Sequence, residues 1–156
     1  MPLDSRRLLE ESVPVGGLLL VWYTLSALAL PIADGAMLNA LVTGFQTVGT
    51  AVAVVFVVVR GVAIARETRP VRLSSDVREL LDESTVVAVP VLAWAGLAAL
   101  IALPYSLFQI SADLSIIAAA FVQTAVATAA LYVVIRVVPV LRSGLGSGGT
   151  ATLGDD

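Results

Sequence analysis

The segment DVRELLDES, residues 76–84, lies near the middle of the chain and repeats the pattern of DSRRLLEES, residues 4–12. Each copy is followed at once by a long apolar run. This repetition predicts a tandem duplication of one unit, in which a short charged segment precedes two hydrophobic helices. We therefore expect the chain to contain two successive helical hairpins.

Further landmarks recur in the same order in both halves of the chain. A shift of 72 residues pairs Trp22 with Trp94, and a shift of 76 pairs Phe45 with Phe121. We expect the four extra residues to lie in a longer hairpin loop of the second unit, where insertions are tolerated. The two units should then be related by a pseudo-two-fold axis along the membrane normal, with the second helix of each unit nearest the axis.

Composition indicates that the solvent of this chain is lipid. Its 156 residues are 58% hydrophobic and have a mean hydropathy of +0.97, which is far more apolar than an average soluble domain. A globular core of this size cannot hide so much apolar surface. Because backbone groups in hydrocarbon must be bonded within their own segment, the apolar runs are expected to be α-helices. The predicted fold class is all-α, a polytopic membrane protein with four transmembrane helices.

The polar composition limits the chemistry that we expect. Histidine and cysteine are absent, which removes disulfides and the commonest metal ligands, so we predict no metal and no cofactor. All nine basic residues are arginine, and they are not clustered as nucleic-acid binding requires. The net charge of −3 without lysine is typical of proteins from salt-loving microbes.

Hydropathy and turn residues predict five successive segments. They are a polar cytoplasmic segment (1–12), a first transmembrane hairpin (13–59), a cytoplasmic connector (60–85), a second hairpin (86–142) and a disordered tail (143–156). Within the connector, Asp76 can cap a short amphipathic helix that we expect to lie along the membrane surface.

Arginine placement predicts the orientation in the cell membrane. All the arginines lie near the N-terminus, in the central connector or near the end of the fourth run. The two hairpin loops carry only Asp34 and Asp113 as charged residues. The positive-inside rule therefore predicts that both termini are cytoplasmic and that the two units form a parallel repeat.

Polar side chains occur at matching places in the second and fourth runs. They are Gln46, Thr47 and Thr50 in one run and Gln123, Thr124 and Thr128 in the other. In hydrocarbon these groups need partners, so we expect them to face the bundle interior. They either join helices by hydrogen bonds or line a path for a substrate or ion.

Two further residue pairs are candidates for a role at the membrane. Arg60 and Arg136, at the ends of the second and fourth runs, are predicted to be interfacial anchors or, alternatively, anion ligands. Trp22 and Trp94 are deeper than an aromatic belt and are expected to be packing anchors, with the indole N–H bonded across the bundle.

No Asp, Glu, Lys or His lies inside an apolar run, which argues against a proton-coupled pump and against an enzyme. The sequence favours a structural or accessory membrane subunit that associates through its helix faces. The alternative is a small transporter or channel with a polar path between helices 2 and 4. The expected partners are the lipid bilayer and either further copies of the chain or other membrane subunits, and no nucleic acid.

Overall fold

Four long helices account for the described part of the chain. The computed structural model describes residues 4–29, 35–67, 77–108 and 113–146. The helices are α1 (Ser5–Ala29), α2 (Gly35–Glu67), α3 (Val77–Phe108) and α4 (Asp113–Gly146). Helix α2 begins at Gly35 with φ at +57°, a conformation that favours glycine. Side chains are described for most of these positions, except 77–83, 104–108, 113–114 and 143–146.

Each helix is long and apolar enough to cross a membrane. They contain 25 to 34 residues, which at about 1.5 Å per residue corresponds to roughly 37–51 Å, more than the hydrocarbon thickness of about 30 Å. The prediction of an all-helical chain with four helices that are long and apolar enough to span a membrane is confirmed. Asp34 and the predicted tail residues 147–156 lie outside the described residues.

The charged segments are parts of the long helices. Residues 5–12, which we expected as a polar segment, form the first two turns of α1, and the backbone N–H of Leu8 donates to the carbonyl of Asp4. Residues 143–146 of the predicted tail continue α4. The prediction of a separate surface helix is wrong, because α3 is one helix from Val77 to Phe108. The sequence between its charged start and its apolar part contains no glycine or proline to interrupt it.

The four extra residues of the second unit lie in a helix. Helix α1 continues for seven residues beyond Trp22, whereas α3 continues for fourteen beyond Trp94. The connection after α3, residues 109–112, is no longer than residues 30–34 after α1. The prediction of a longer loop is therefore wrong. Four residues are about one helical turn, and an added turn bonds its own backbone groups in hydrocarbon.

Helices α1 and α4 form the centre of the bundle, since each contacts the three others. Helices α2 and α3 lie on opposite sides and do not contact each other within the described ranges. The prediction that α2 and α4 together lie nearest a central axis is therefore wrong. A two-fold axis that exchanged the hairpins would also make the α1–α4 and α2–α3 contacts equivalent, which they are not.

Small residues set the closest approaches between helices. A methyl group at Gly49 would lie 2.6 Å from Cβ of Trp22, and one at Gly61 would lie 2.6 Å from Cγ1 of Val134. The buried side chains around these contacts come mainly from α1, α2 and α4: Leu8, Val15, Leu19, Tyr23, Ala53, Val57, Ile64, Ala120, Leu131 and Ile135. Large exposed side chains, such as Val55 and Leu92, cover the outside, as expected where lipid is the solvent.

We expect Gly61→Ala to weaken the contact between α2 and α4. The added methyl group must displace Val134, which costs about 1–3 kcal/mol for overpacking. Thermal unfolding in detergent, followed by circular dichroism, measures the effect as a lowered Tm.

Gly17→Ala is the matched control, because a methyl group there meets nothing within 4 Å. Both variants gain the same intrinsic helix propensity, so their difference isolates the contact. Equal Tm values for the two variants would show that α2 and α4 are not closely packed at Gly61.

Candidate functional site

A polar contact joins the middle of α2 to the first half of α4. The Thr50 hydroxyl lies 2.8 Å from the carbonyl oxygen of Gln46 and 3.4 Å from Oε1 of Gln123. The second distance is long, and a hydroxyl has only one proton to donate. The structure thus brings Thr50 and Gln123 together, whereas the side chain of Gln46 has no hydrogen-bond partner among the described residues.

The threonines of α4 are covered by the chain itself. Thr124 and Thr128 are buried, and their hydroxyls donate to the carbonyls of Ala120 (2.8 Å) and Thr124 (2.7 Å), one turn earlier. A methyl group at Gly16 of α1 would lie 3.1 Å from Cγ2 of Thr124, so α1 packs directly over this position. Both hydroxyls therefore bond within α4 and do not join it to another helix. Thr47, on α2, is exposed.

A cavity of about 200 Å³ lies between α2 and α4 next to this contact. Thr50 and Gln123 are its polar residues, and the rest of its wall is apolar: Leu19, Ala53, Val54, Val57, Val58, Val126, Ala127, Ala130 and Val134. Because the polar groups occupy only one end, the cavity offers no continuous row of groups that could replace the water around an ion.

A wider groove of about 480 Å³ runs between α3 and α4. It is lined by small residues and one valine: Ala95, Ala98, Ala99, Ala102, Ser115, Ala118, Ala119 and Val122. Helices α3 and α4 are in contact, and small side chains of this kind let two helix backbones approach closely in a membrane.

The two tryptophans make the same aromatic contact in each hairpin. The ring centroids of Trp22 and Phe45 are 6.1 Å apart, and those of Trp94 and Phe121 are 5.9 Å apart. Their hydrogen bonds differ. The indole N–H of Trp94 donates to Oγ of Ser12 at 2.8 Å, whereas that of Trp22 has no partner among the described residues.

Ser12 connects α3 to α1 through that bond. It is fully buried, and its own hydroxyl donates to the carbonyl of Leu9 at 2.7 Å. No buried side-chain nitrogen or oxygen lacks a partner in the part of the chain that the structure describes.

Two ion pairs join α1 to α2 at the end of the bundle that holds the N-terminus. Nε and Nη2 of Arg60 donate to the two carboxylate oxygens of Glu11 at 2.6 and 2.7 Å, and Arg7 pairs with Glu67 at 3.3 Å. A bidentate pair of this kind fixes the guanidinium plane. Arg60 is thus engaged by the chain itself.

The corresponding arginine of α4 makes a different contact. Nε of Arg136 donates to the hydroxyl of Tyr132 at 3.2 Å, and its guanidinium lies 5.3 Å from the centroid of that ring. The roles of Arg60 and Arg136 as anchors or anion ligands remain predictions.

Two of the contributing residues were not singled out from the sequence as site residues. Ser12 and Glu11 lie in the charged segment that precedes the apolar run, and only the repeated DSRRLLEES pattern draws attention to them.

Within the described ranges, no three Asp or Glu side chains come together as a metal site would require. Comparisons with protein-family models, with curated proteins and with solved structures gave no match. The arrangement of the side chains is therefore the basis for a functional interpretation.

We expect Ser12→Ala to destabilise the protein by about 1–3 kcal/mol, because the indole N–H of Trp94, which is half-buried, loses its acceptor. Measured in a Trp22→Phe background, the emission of Trp94 should also shift, since its hydrogen bond is lost.

Ser26→Ala is the matched control, since Ser26 is a buried serine of the same helix that bonds only to the carbonyl of Trp22. A double-mutant cycle with Trp94→Phe separates the bond from other effects. Additive losses in that cycle would contradict a direct Ser12–Trp94 bond.

Proposed function

We propose that this chain is a non-enzymatic membrane protein, a structural or accessory subunit that associates through its helix faces. The observation that carries the proposal is the distribution of polar side chains. The fully buried serines and threonines of the described residues donate to carbonyls of their own helices. Asn39, Thr43 and Thr47 of α2 are exposed. A fully buried hydroxyl that already donates to its own helix is not free to bind a substrate, and polar side chains exposed to lipid are expected to bond to a protein partner.

The alternative is a small transporter or channel with its path between α2 and α4. One observation favours it, because Thr50 and Gln123 line the cavity between these helices. The apolar remainder of the wall counts against a hydrated path for an ion. We therefore rank it second.

We also propose that the two hairpins arose by duplication and form a parallel repeat. The Trp22–Phe45 and Trp94–Phe121 contacts support this, since equivalent residues meet in the same way within each hairpin. The unequal contacts between the hairpins indicate that they have since packed asymmetrically. With α1 and α4 at the centre, each hairpin contributes one central and one peripheral helix.

Orientation in the cell membrane, with both termini in the cytoplasm, is a further part of this proposal. It is supported by the arginines that lie at one end of the helices, among them Arg6, Arg66 and Arg142, and by their absence from the hairpin connections.

A comparison of assembly with transport tests the proposed function. We expect the protein to remain in a complex larger than one chain when native membranes are dissolved in mild detergent. Reconstituted in vesicles, it should not increase the flux of Na⁺, K⁺ or Cl⁻ above that of empty vesicles. A flux that falls in Thr50→Val and Gln123→Leu but not in Thr47→Val would favour the transporter instead.

Single cysteines at the connections test the orientation. The chain contains no cysteine, so Asp34→Cys and Ser75→Cys each carry one thiol. On intact cells, a membrane-impermeant thiol reagent should label position 34 and not position 75. Labelling at 75 but not at 34 would reverse the proposed orientation.

A further inference from the structure

The cavity between α2 and α4 combines one polar end with an apolar wall. Thr50 and Gln123 form the polar end, and the remaining lining residues are valine, alanine and leucine. None of the lining residues is charged, so the cavity favours an uncharged ligand. Its volume of about 200 Å³ exceeds the roughly 150 Å³ of an engineered apolar cavity that binds benzene. The space therefore has room for a ring or a short length of chain.

The cavity opens toward the side of the bundle. Val54, Val58 and Val126 belong to its wall, yet these side chains are 57%, 47% and 64% exposed. In a membrane, exposed valines of a spanning helix face the acyl chains of lipids. A molecule dissolved in the hydrocarbon can therefore enter between α2 and α4 without passing through water.

The amide of Gln123 is a hydrogen-bonding group that the chain does not fully satisfy. Its Oε1 lies 3.4 Å from the hydroxyl of Thr50, whose proton is donated to the carbonyl of Gln46 at 2.8 Å. The amide nitrogen has no acceptor within the described part of the chain. Gln123 is half-buried, and an amide N–H in apolar surroundings is stabilised by an acceptor oxygen. The polar end of the cavity is thus suited to donate a hydrogen bond to a ligand.

The depth of this amide is unsuited to the oxygens of a phospholipid. No charged residue occurs between Gly35 and Val59, and Thr50 lies about 5 Å from the middle of that run at about 1.5 Å per residue. Lipid headgroups lie at the surfaces of a hydrocarbon layer about 30 Å thick. An acceptor oxygen beside Gln123 must therefore belong to a molecule that carries it within the hydrocarbon.

We propose that the α2–α4 cavity binds an uncharged, lipid-soluble molecule whose apolar body fills the valine-lined part and whose carbonyl oxygen accepts a hydrogen bond from the amide of Gln123. A carbonyl needs only a donor, whereas a hydroxyl or amine would bring a further proton that also needs a partner. This is the chemistry of a membrane quinone. The proposal goes beyond the association with other chains and does not depend on it, because the cavity lies within one chain.

Fluorescence quenching by a quinone probe tests the site. Trp22 lies one helical turn from Leu19 of the wall and packs on Gly49, the neighbour of Thr50. In a Trp94→Phe background, a decyl-substituted benzoquinone should quench the emission of Trp22 saturably in the full-length protein in detergent. Quenching that rises linearly without saturation would show only partition of the quinone into micelles and would overturn the proposal.

Gln123→Met tests the hydrogen bond. Methionine keeps an unbranched, flexible side chain but removes the amide. The quinone should bind about two- to tenfold more weakly, which corresponds to the loss of one hydrogen bond. Decylbenzene has the same chain on a ring without carbonyls, and it should displace the quinone from both proteins with equal affinity. An unchanged quinone affinity in Gln123→Met would overturn the recognition of a carbonyl and with it the proposal.

Ala130→Leu tests the location of the site. Ala130 is an exposed alanine of the wall, so the larger side chain should occupy the cavity and weaken quinone binding roughly tenfold or more. Ala51→Leu is the matched control, because Ala51 is an exposed alanine of α2 next to Thr50 that does not line the cavity. Equal quinone affinities of these two variants would place the quinone elsewhere. If Ala130→Leu does not fold, the comparison with Gln123→Met decides.

A phospholipid titration distinguishes a carbonyl ligand from an acyl chain. Dioleoyl phosphatidylcholine should not displace the quinone at concentrations where decylbenzene does. Displacement by the phospholipid, equal in the wild type and in Gln123→Met, would assign the cavity to acyl chains and overturn the proposal. Failure of the quinone site would leave the proposed function as a subunit unaffected, because that function is tested by the size of the complex in native membranes.

Discussion

The absence of water within the membrane is the constraint on which the rest of this structure depends. Every backbone group must be bonded inside its own segment, and every polar side chain must bond within the protein or be covered by it. The first requirement produces four long helices. The second explains why the buried hydroxyls of Thr124 and Thr128 donate to carbonyls of their own helix, since a threonine can satisfy itself one turn back without any tertiary partner.

Packing in this bundle relies on shape, because hydrophobicity does not distinguish the protein interior from lipid. Glycines at positions 49 and 61 accommodate Trp22 and Val134, and alanines line the boundary between α3 and α4. Polar links are few and specific. The Trp94–Ser12 bond joins α3 to α1, and the Glu11–Arg60 pair holds α1 and α2 together at one end. These contacts leave α2 and α3 at the periphery, with much of their surfaces uncovered.

A subunit that functions by associating with other chains would need buried polar groups that are hydrogen-bonded within the chain. It would also need outer helix surfaces that another chain can cover. The duplication that we infer offers a route to it. Two similar hairpins contribute equivalent aromatic contacts, yet only one helix of each reaches the centre. The same glutamine–threonine dipeptide then has two different environments, one within the chain and one at its surface.

The sequence alone determined the class of protein, the number of helices and their approximate limits, because length and hydropathy are properties of each segment by itself. It also identified Trp22, Phe45 and their counterparts, since a repeated pattern needs no structure to be seen. The sequence could not determine which helices are central. The arrangement of the helices depends on how surfaces that carry glycine, alanine and tryptophan pack against one another. Hydropathy contains no information about the shapes of these surfaces. Only the tertiary structure therefore decided that Thr124 is buried while Thr47 is exposed, and that Ser12 receives the hydrogen bond of Trp94.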